Sequence, residues 1–225
     1  RRFVADASHE LKTPLTIVSG AAQLGLPDDS ASPAARQLFG RINDASERMG
    51  KLVGGLLELA RGNGESGTAH FGPVPLQPLL CAAAEEARLL HPDGASVELQ
   101  VELEAMVLGD AEALLRLLLN LLDNALRHTP GIGSVVAGAE PIDDEYRLFV
   151  RDTGPGIPAD VLPRLGEPFY RPDAARTRQD GGTGLGLAIC KQIAERHGST
   201  LVIESKPGEG TTVSLCLKQA GHGVE

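Results

Sequence analysis

A histidine followed by an acid lies near the start of the chain, where residues 8–15 read Ser-His-Glu-Leu-Lys-Thr-Pro-Leu. A neutral imidazole is a competent nucleophile near pH 7, and a neighbouring carboxylate can hold the tautomer that leaves the attacking nitrogen unprotonated. At about 100° of turn per residue, the apolar side chains here form one helical stripe and His9 points away from it. The pattern indicates a solvent-facing nucleophile, His9, oriented by Glu10. The alternative is an exposed histidine that merely tolerates a charged neighbour.

Two asparagines, Asn120 and Asn124, lie four residues apart and therefore on one side of a leucine-rich segment predicted to be helical. A hard cation such as Mg2+ accepts neutral amide oxygens and takes its other ligands from water and phosphate. The pair therefore indicates a magnesium-phosphate site. Internal hydrogen bonding of the two amides explains the pattern equally well when this helix is taken alone.

An acid, two glycines and two prolines follow one another closely in residues 152–158, at the end of a predicted strand. Asp152 can accept a hydrogen bond from the exocyclic amine of adenine, and Gly154 and Gly156 allow the backbone to approach the base without Cβ clashes. The segment indicates a pocket for adenine. The alternative is an aspartate that opens an ordinary tight turn.

Four glycines in six residues precede another predicted helix, where residues 181–189 read Gly-Gly-Thr-Gly-Leu-Gly-Leu-Ala-Ile. Free backbone amides and the positive end of a helix dipole attract phosphate. The spacing matches neither the Rossmann fingerprint nor the P-loop. The segment indicates a phosphate loop of another type, and the alternative is a flexible helix start.

Two long helices must position the histidine. The first is predicted to run to about residue 24 and the second to about residue 61, with a polar loop at 27–33 between them. Apolar residues of the second helix step by four and three alternately. The members of this heptad seam are Leu38, Ile42, Ala45, Met49, Leu52, Leu56 and Leu59. We expect the hairpin to pair with a second copy as a dimeric four-helix bundle. The alternative is packing against the chain's own C-terminal domain.

Residues 62–68 contain three glycines and interrupt the seam, so we predict two domains, residues 1–65 and 66–225. Beyond the interruption, apolar alternation predicts strands near 74, 97–103, 106–108, 135, 146–151, 200–205 and 211–217. Helical patterns cover 79–90, 111–128 and about 183–197. The fold class is therefore α+β, with a helical hairpin followed by an α/β sandwich that has a mixed sheet and helices on one face.

The composition restricts the partners. Thirty acids against 21 bases give a net charge of −9, which disfavours nucleic acid and direct contact of this fragment with an anionic membrane. The three cysteines form neither a zinc spacing nor a disulfide framework, so we expect a cytoplasmic location. Because Arg1 already lies on helical spacing with the residues after it, we expect a fragment of a longer protein that is anchored in the membrane.

The segments closely resemble the motifs of the two-component sensor histidine kinases. The match to the family's H-box is unbroken over residues 8–15. The other resembling segments are the N-box around Asn124, the G1 box at 152–158, the F-box at 167–171, the G2 box at 181–189 and the glycine-threonine turn at 208–212. The resemblance covers both predicted domains in the family's order.

The resemblance implies that His9 accepts the γ-phosphoryl group of ATP, with Mg2+ at Asn124 and Asn120, and passes it to the receiver domain of a response regulator. Thr13 completes the family's His-Glu-x-x-Thr pattern, which implies phosphatase activity toward that regulator; the alternative is a surface threonine beside Pro14. The implied nucleotide contacts are Asn120, Asn124, Arg127, His128, Asp152, Gly154, Gly156, Ile157, Phe169, Arg176, Gly182, Thr183, Gly184, Leu185, Gly186 and Thr211.

At three of these positions the resemblance gives weaker support for a nucleotide contact. Arg127 and His128 fall where the family often has lysine and tyrosine. Arg176 lies in a polar segment expected to close over ATP, where a solvated charge is an equal alternative.

Three alternatives share part of this pattern. An ATP-hydrolysing clamp of the same superfamily carries a water-activating glutamate where this chain has Asn120. A non-catalytic dimeric scaffold would keep the heptad seam but does not need Asn124, Asp152 and the glycine-rich segments together. An ATP-binding dimeric module with weak or no kinase activity is the remaining alternative.

Overall fold

The computed structural model describes residues 16–22, 32–62, 71–171 and 183–220. His9, Glu10, Thr13, Arg176 and Gly182 lie outside these residues, as does the predicted boundary after residue 65. The described residues divide into two compact units. One contains 16–22, 32–62 and 183–185, and the other contains 71–171 and 186–220.

The first unit is helical. Residues 16–22 form the described part of α1, and α2 spans Pro33–Gly62. The backbone N–H of Ala35 donates to Ser32 Oγ at 3.2 Å, and Pro33 follows Ser32 directly. Both residues favour a helix start, because the first N–H groups of a helix have no partner within it. Ser19 Oγ donates to Asn43 Oδ1 at 2.9 Å and joins the two helices.

The second unit has the predicted α+β architecture. Its elements are β1 (Gly72–Pro75), α3 (Leu76–Leu90), β2 (Ser96–Gln100), β3 (Met106–Gly109), α4 (Ala111–His128), β4 (Ser134–Ile142), β5 (Glu145–Asp152), a 3-10 turn (Leu162–Arg164), α5 (Gly186–Arg196), β6 (Val202–Lys206) and β7 (Gly210–Lys218). Five strands form a mixed sheet in the order β2-β4-β5-β7-β6, in which only the β2-β4 pair is parallel. No helix among the described residues is long and apolar enough to span a membrane.

Four details differ from the expectation. Strand β2 ends at Gln100, three residues before its expected end, and helix α5 begins at Gly186, three residues after its expected start. Helix α3 begins at Leu76, three residues earlier than expected, because Pro78 lies in the first turn, where a missing N–H costs no helical hydrogen bond. Strands β1 and β3 pair with each other as a separate antiparallel sheet and do not join the five-stranded one. Prolines 73 and 75 leave β1 few donors for a longer ladder.

Helix α4 positions the polar groups of the unit. Asp110 caps its start, because the side chain accepts a hydrogen bond from the backbone N–H of Ala113. One side of the helix is buried against α3 and the sheet. The buried residues are Leu114, Leu117, Leu118, Leu121, Leu122, Ala125 and Leu126. At about 1.5–3 kcal/mol for each fully buried leucine, this burial fixes the rotation of α4 about its axis. Asn120 and Asn124 therefore have a defined direction.

The sheet register aligns one end of three strands. Asp152, the last residue of β5, lies opposite Val135 of β4 and opposite Thr211 of β7. In the strand interior, the ring of Phe149 lies over its cross-strand partner Gly138 and is 2% exposed. This packing holds the central strands in register, so the position of Asp152 follows from the core.

We expect His197 to make stability depend on pH. Its Nδ1–H donates to the Ile193 carbonyl at 2.8 Å, and its Nε2 accepts from the Asp110 N–H at 3.0 Å. Burial holds the pKa of His197 below the usual 6.5. The unfolded chain therefore takes up a proton first, so the contribution of His197 to stability is complete above about pH 6.5 and is lost as the pH falls from there through the lower pKa of the folded state. Urea midpoints at about pH 7.5 and 5.5 should fall more for the wild type than for His197→Gln. Equal changes would contradict the prediction.

Candidate functional site

Asp152 is a half-buried carboxylate at the aligned strand ends. The backbone N–H groups of Gly154 and Thr211 donate hydrogen bonds to it, the former at 2.8 Å from Oδ1. Burial raises the pKa of Asp152 above the usual 3.8, and these two hydrogen bonds and the charge of His128 offset only part of that increase. The carboxylate is thus held in place, partly desolvated and suited to accept a further hydrogen bond from a ligand.

The turn after Asp152 lies directly against neighbouring backbone. A Cβ on Gly154 would come within 2.7 Å of Asp152 Oδ1 and 3.0 Å of the His128 carbonyl oxygen. Gly156 has φ +69°, and a Cβ there would overlap the Lys206 carbonyl oxygen. Only glycine fits at these positions. The atoms that exclude a Cβ belong to the protein itself, so they explain why the turn needs these glycines; the approach of adenine to this backbone stays a prediction.

Ser205 of β6 holds this turn on the sheet, and sequence reasoning missed it. The N–H of Ile157 donates to Ser205 Oγ at 2.8 Å. Ser205 Oγ also contacts the Gly210 carbonyl and Thr211 Oγ1, each at 2.9 Å. The predicted residues Ile157 and Thr211 thus meet through a serine 48 residues after the turn. The available signal was a hydroxyl at an inward position of an alternating strand.

The two asparagines differ in their partners. Asn120 Nδ2 donates to the Arg116 carbonyl at 3.0 Å, and its Oδ1 lies 3.0 Å from where a Cβ of Gly186 would be. Asn124 makes no side-chain hydrogen bond to another described residue. Internal hydrogen bonding therefore accounts for the amide nitrogen of Asn120 but not for Asn124.

The chemistry of the donor set fits Mg2+, because both asparagines offer amide oxygens. No group of three or more His, Cys, Asp or Glu side chains in the described ranges could hold a metal alone. A cation at Asn124 would need phosphate and water for its remaining ligands, as Mg2+ commonly does.

Arg127 and His128 follow one turn later on α4. Arg127 Nη2 lies 2.9 and 2.8 Å from the two carboxylate oxygens of Asp123, and His91 Nε2 lies 2.8 Å from Asp123 Oδ1. Burial alone would raise the pKa of Asp123, but the hydrogen bonds and charges of Arg127 and His91 outweigh it and hold the pKa below the usual 3.8. His128 is exposed. Neither His91 nor Asp123 was predicted as a site residue.

The glycine-rich segment is described from residue 183 onward. The N–H of Leu185 donates to Thr183 Oγ1 at 3.3 Å, Gly184 has φ +73°, and Leu185 is 1% exposed. Helix α5 begins at Gly186, at the last glycine of the motif and three residues after the expected start. Because residues 183–185 belong to the first unit, their place beside Asp152 stays a prediction.

Phe169 lies on the loop after the 3-10 turn. It has φ +66°, a strained conformation for an aromatic residue, and is 54% exposed. Its neighbours are fixed, since Arg164 lies 4.0 Å over the Tyr170 ring and pairs with Glu167 at 3.3 Å. The contact of Phe169 with a nucleotide stays a prediction.

Comparison with known proteins gives consistent matches over the chain. Residues 109–221 match the family model of the histidine kinase-, DNA gyrase B- and HSP90-like ATPases, and residues 1–65 match the His Kinase A (phospho-acceptor) domain. The sensor histidine kinase YkoH of Bacillus subtilis is 36% identical over 99% of this chain and 48% of its own length. BaeS of Escherichia coli, a signal transduction histidine-protein kinase, is 34% identical over 96% of this chain and 46% of its own length.

Solved structures agree with these matches. Full-length ShkA in complex with AMPPNP is similar with a TM-score of 0.80 and 29% identity, over 97% of this chain and 46% of that one. The mycobacterial sensor histidine kinase MprB has a TM-score of 0.59 and 33% identity, over 66% of this chain and 98% of that one. The chain spans about half the length of the curated relatives it matches.

Proposed function

The chain belongs to the two-component sensor histidine kinases, and from that premise we propose that it transfers the γ-phosphoryl group of MgATP to His9. The bond between the γ-phosphorus and the β,γ-bridging oxygen breaks, a phosphorus-nitrogen bond forms at the imidazole, and ADP leaves. The phosphoryl group then passes to an aspartate of a response regulator. The observation that carries the proposal is the half-buried Asp152, held by two backbone N–H groups at the end of the sheet.

The residues of the second unit divide the work of holding the nucleotide. Asp152 accepts from the adenine amine, and the turn through Gly156 lets the base approach the backbone. Asn124 and Asn120 offer oxygens to Mg2+, which supplies charge neutralisation at the phosphates when bound. Positioning and charge then account for catalysis, and Glu10 keeps one nitrogen of His9 unprotonated.

Incubation with ATP labelled at the γ-phosphorus tests this function. The protein should become labelled, and the label should survive alkali and be lost in acid, as a phosphorus-nitrogen bond requires. Release of labelled phosphate without labelled protein would favour an ATP hydrolase. Failure to bind ATP would favour the non-catalytic dimeric scaffold, and ATP binding without labelled protein or released phosphate would favour the ATP-binding module.

We propose that the helical unit assembles as a homodimer. Five apolar side chains of its described residues stay 44–66% exposed within one chain: Ile17, Val18, Leu38, Met49 and Leu56. Three of them, Leu38, Met49 and Leu56, belong to the predicted seam. A second copy would cover this surface at the spacing typical of helical bundles.

Leu56→Glu is expected to convert the dimer into a folded monomer. Leu56 is 46% exposed in the single chain, so a glutamate there reaches water in the monomer but would be buried next to its copy in the bundle. Light scattering should give twice 23.6 kDa for the wild type and 23.6 kDa for the variant. Leu89→Glu, at an 82% exposed position of the second unit, is the matched control and should stay dimeric. A dimeric Leu56→Glu would contradict the assignment.

We propose phosphatase activity at the same helix, because Thr13 follows His9 by four residues and a hydroxyl there could hold a water in line with a phosphoaspartate. Thr13→Ala should preserve autophosphorylation and transfer, and should slow dephosphorylation of the regulator by about ten-fold or more. The measurement is the decay of the labelled regulator with added kinase and ADP. Equal decay with the two proteins would remove Thr13 from the mechanism.

The place of action follows from the substrates. ATP and the regulator's receiver domain are cytoplasmic, so we propose that this part of the protein works in the cytoplasm while the full-length protein is anchored in the membrane. The proposal includes no nucleic acid partner and no direct contact of this fragment with the membrane.

A further inference from the structure

Three side chains form a linked polar cluster on the second unit. His91, at the end of α3, lies 2.8 Å from Asp123 Oδ1, and Asp123 holds Arg127 Nη2 through both oxygens at 2.9 and 2.8 Å. The side chains of His91 and Arg127 are 20% and 24% exposed, and that of Asp123 is 37% exposed. The partial burial and the two charge-assisted contacts restrict the positions that the Arg127 side chain can adopt.

The cluster borders the asparagine side of α4. Arg127 follows Asn120 by seven residues and Asn124 by three, and at about 100° per residue its direction from the helix axis lies near both. Asp123 lies farther round, on the side toward His91. The guanidinium is therefore held between the carboxylate and the region proposed for the phosphates.

We propose that His91 and Asp123 are positioning residues that hold Arg127 as the phosphate-binding cation of this site. The proposal rests on the proposed ATP-binding function. An arginine that is free in solution samples many rotamers, and a ligand that must order such a side chain binds less tightly. The contacts with His91 and Asp123 order the Arg127 side chain before the nucleotide binds. The planar guanidinium group of an arginine suits phosphate oxygens.

The test compares the affinities of variants for ATP and for adenosine by calorimetry. Arg127→Ala should weaken ATP binding by roughly ten-fold or more, and His91→Ala by about three- to ten-fold, with adenosine affinity unchanged in both. In the variant with both substitutions, His91→Ala should cause no further loss of ATP affinity beyond that of Arg127→Ala, because His91 acts on the nucleotide only through Arg127. His91→Gln, whose amide can donate to Asp123, should recover most of the ATP affinity.

Glu140→Gln is the matched control, since it removes another partly buried carboxylate-arginine pair, Glu140 with Arg147, on the sheet. It should change neither affinity. Equal losses for ATP and adenosine in His91→Ala, or additive losses in the double variant, would overturn the positioning role and indicate a structural one. If the wild type binds no ATP, the proposed function itself is refuted. If the wild type binds ATP and the His91→Ala variant binds it with the same affinity, only this inference is refuted.

Discussion

His9→Gln is expected to abolish phosphorylation of the protein by ATP. Glutamine matches the reach and hydrogen-bonding capacity of histidine but offers no nucleophilic nitrogen, because the amide lone pair is delocalised into the carbonyl. The phosphorus-nitrogen bond then has no acceptor, so the loss should reach the detection limit of a γ-labelled ATP assay.

Nucleotide affinity gives the internal control. His9 lies in the predicted first domain, whereas Asp152, Asn124 and the turn at Gly156 lie in the second unit. We therefore expect the affinity of His9→Gln for ATP to stay within a few-fold of the wild type. Undiminished, acid-labile labelling of the variant would show that another residue is the phosphoacceptor. Lost labelling together with lost ATP binding would indicate misfolding, and thermal unfolding of the variant would reveal it.

Local sequence patterns predicted much of the fold. The limits of α4 were predicted to the residue, because an aspartate cap, a leucine stripe and a terminal threonine all lie within one segment. The turn after Asp152 is also indicated by the sequence, because positions 154 and 156 leave no room for a Cβ and therefore require glycine itself; the role of this turn toward adenine stays a prediction. Such features are readable because cause and residue are neighbours in the chain.

Features that depend on distant partners were not readable. Ser205 meets the turn at Ile157 across 48 residues, and His91 meets Asp123 across 32. The local spacing of apolar residues predicts neither contact, because each depends on how the packing of the core brings distant strands and helices together. The separate pairing of β1 with β3 has the same origin. Helical spacing alone allows the pair of Arg127 with Asp123, four residues apart, but the contact of His91 with Asp123 depends on the packing of α3 against α4.

Asp152→Asn is expected to remove ATP binding without destabilising the protein. The carboxylate accepts hydrogen bonds from Gly154 and Thr211, and in the proposed complex it accepts a third from adenine. An asparagine has one acceptor oxygen and an NH2 group. In the empty protein the amide oxygen can keep the N–H of Gly154 as its donor, so the NH2 group replaces the oxygen that would accept from adenine. The adenine amine is then left unpaired in the complex, and each buried donor left unpaired costs about 1–3 kcal/mol. A loss of about 100-fold in affinity is therefore expected.

Stability should change in the opposite direction. Because burial raises the pKa of Asp152 in the folded state, its contribution to stability is favourable below the unfolded pKa near 3.8 and is lost as the pH rises through the folded pKa. At pH 7 the unliganded protein therefore holds a partly desolvated charge at a cost. The amide removes that charge, so the thermal midpoint of Asp152→Asn without nucleotide should equal or exceed that of the wild type.

Two measurements on the same samples separate recognition from folding. Added ATP should raise the thermal midpoint of the wild type by mass action and leave that of Asp152→Asn unchanged. Asp160→Asn, at an exposed position of the following loop, is the matched control and should respond to ATP as the wild type does. A normal ATP response in Asp152→Asn would place adenine elsewhere. A lowered midpoint without nucleotide would mean that the carboxylate supports the fold, whereas an unchanged or raised one means that a charge unfavourable to the empty protein is retained for the ligand it binds.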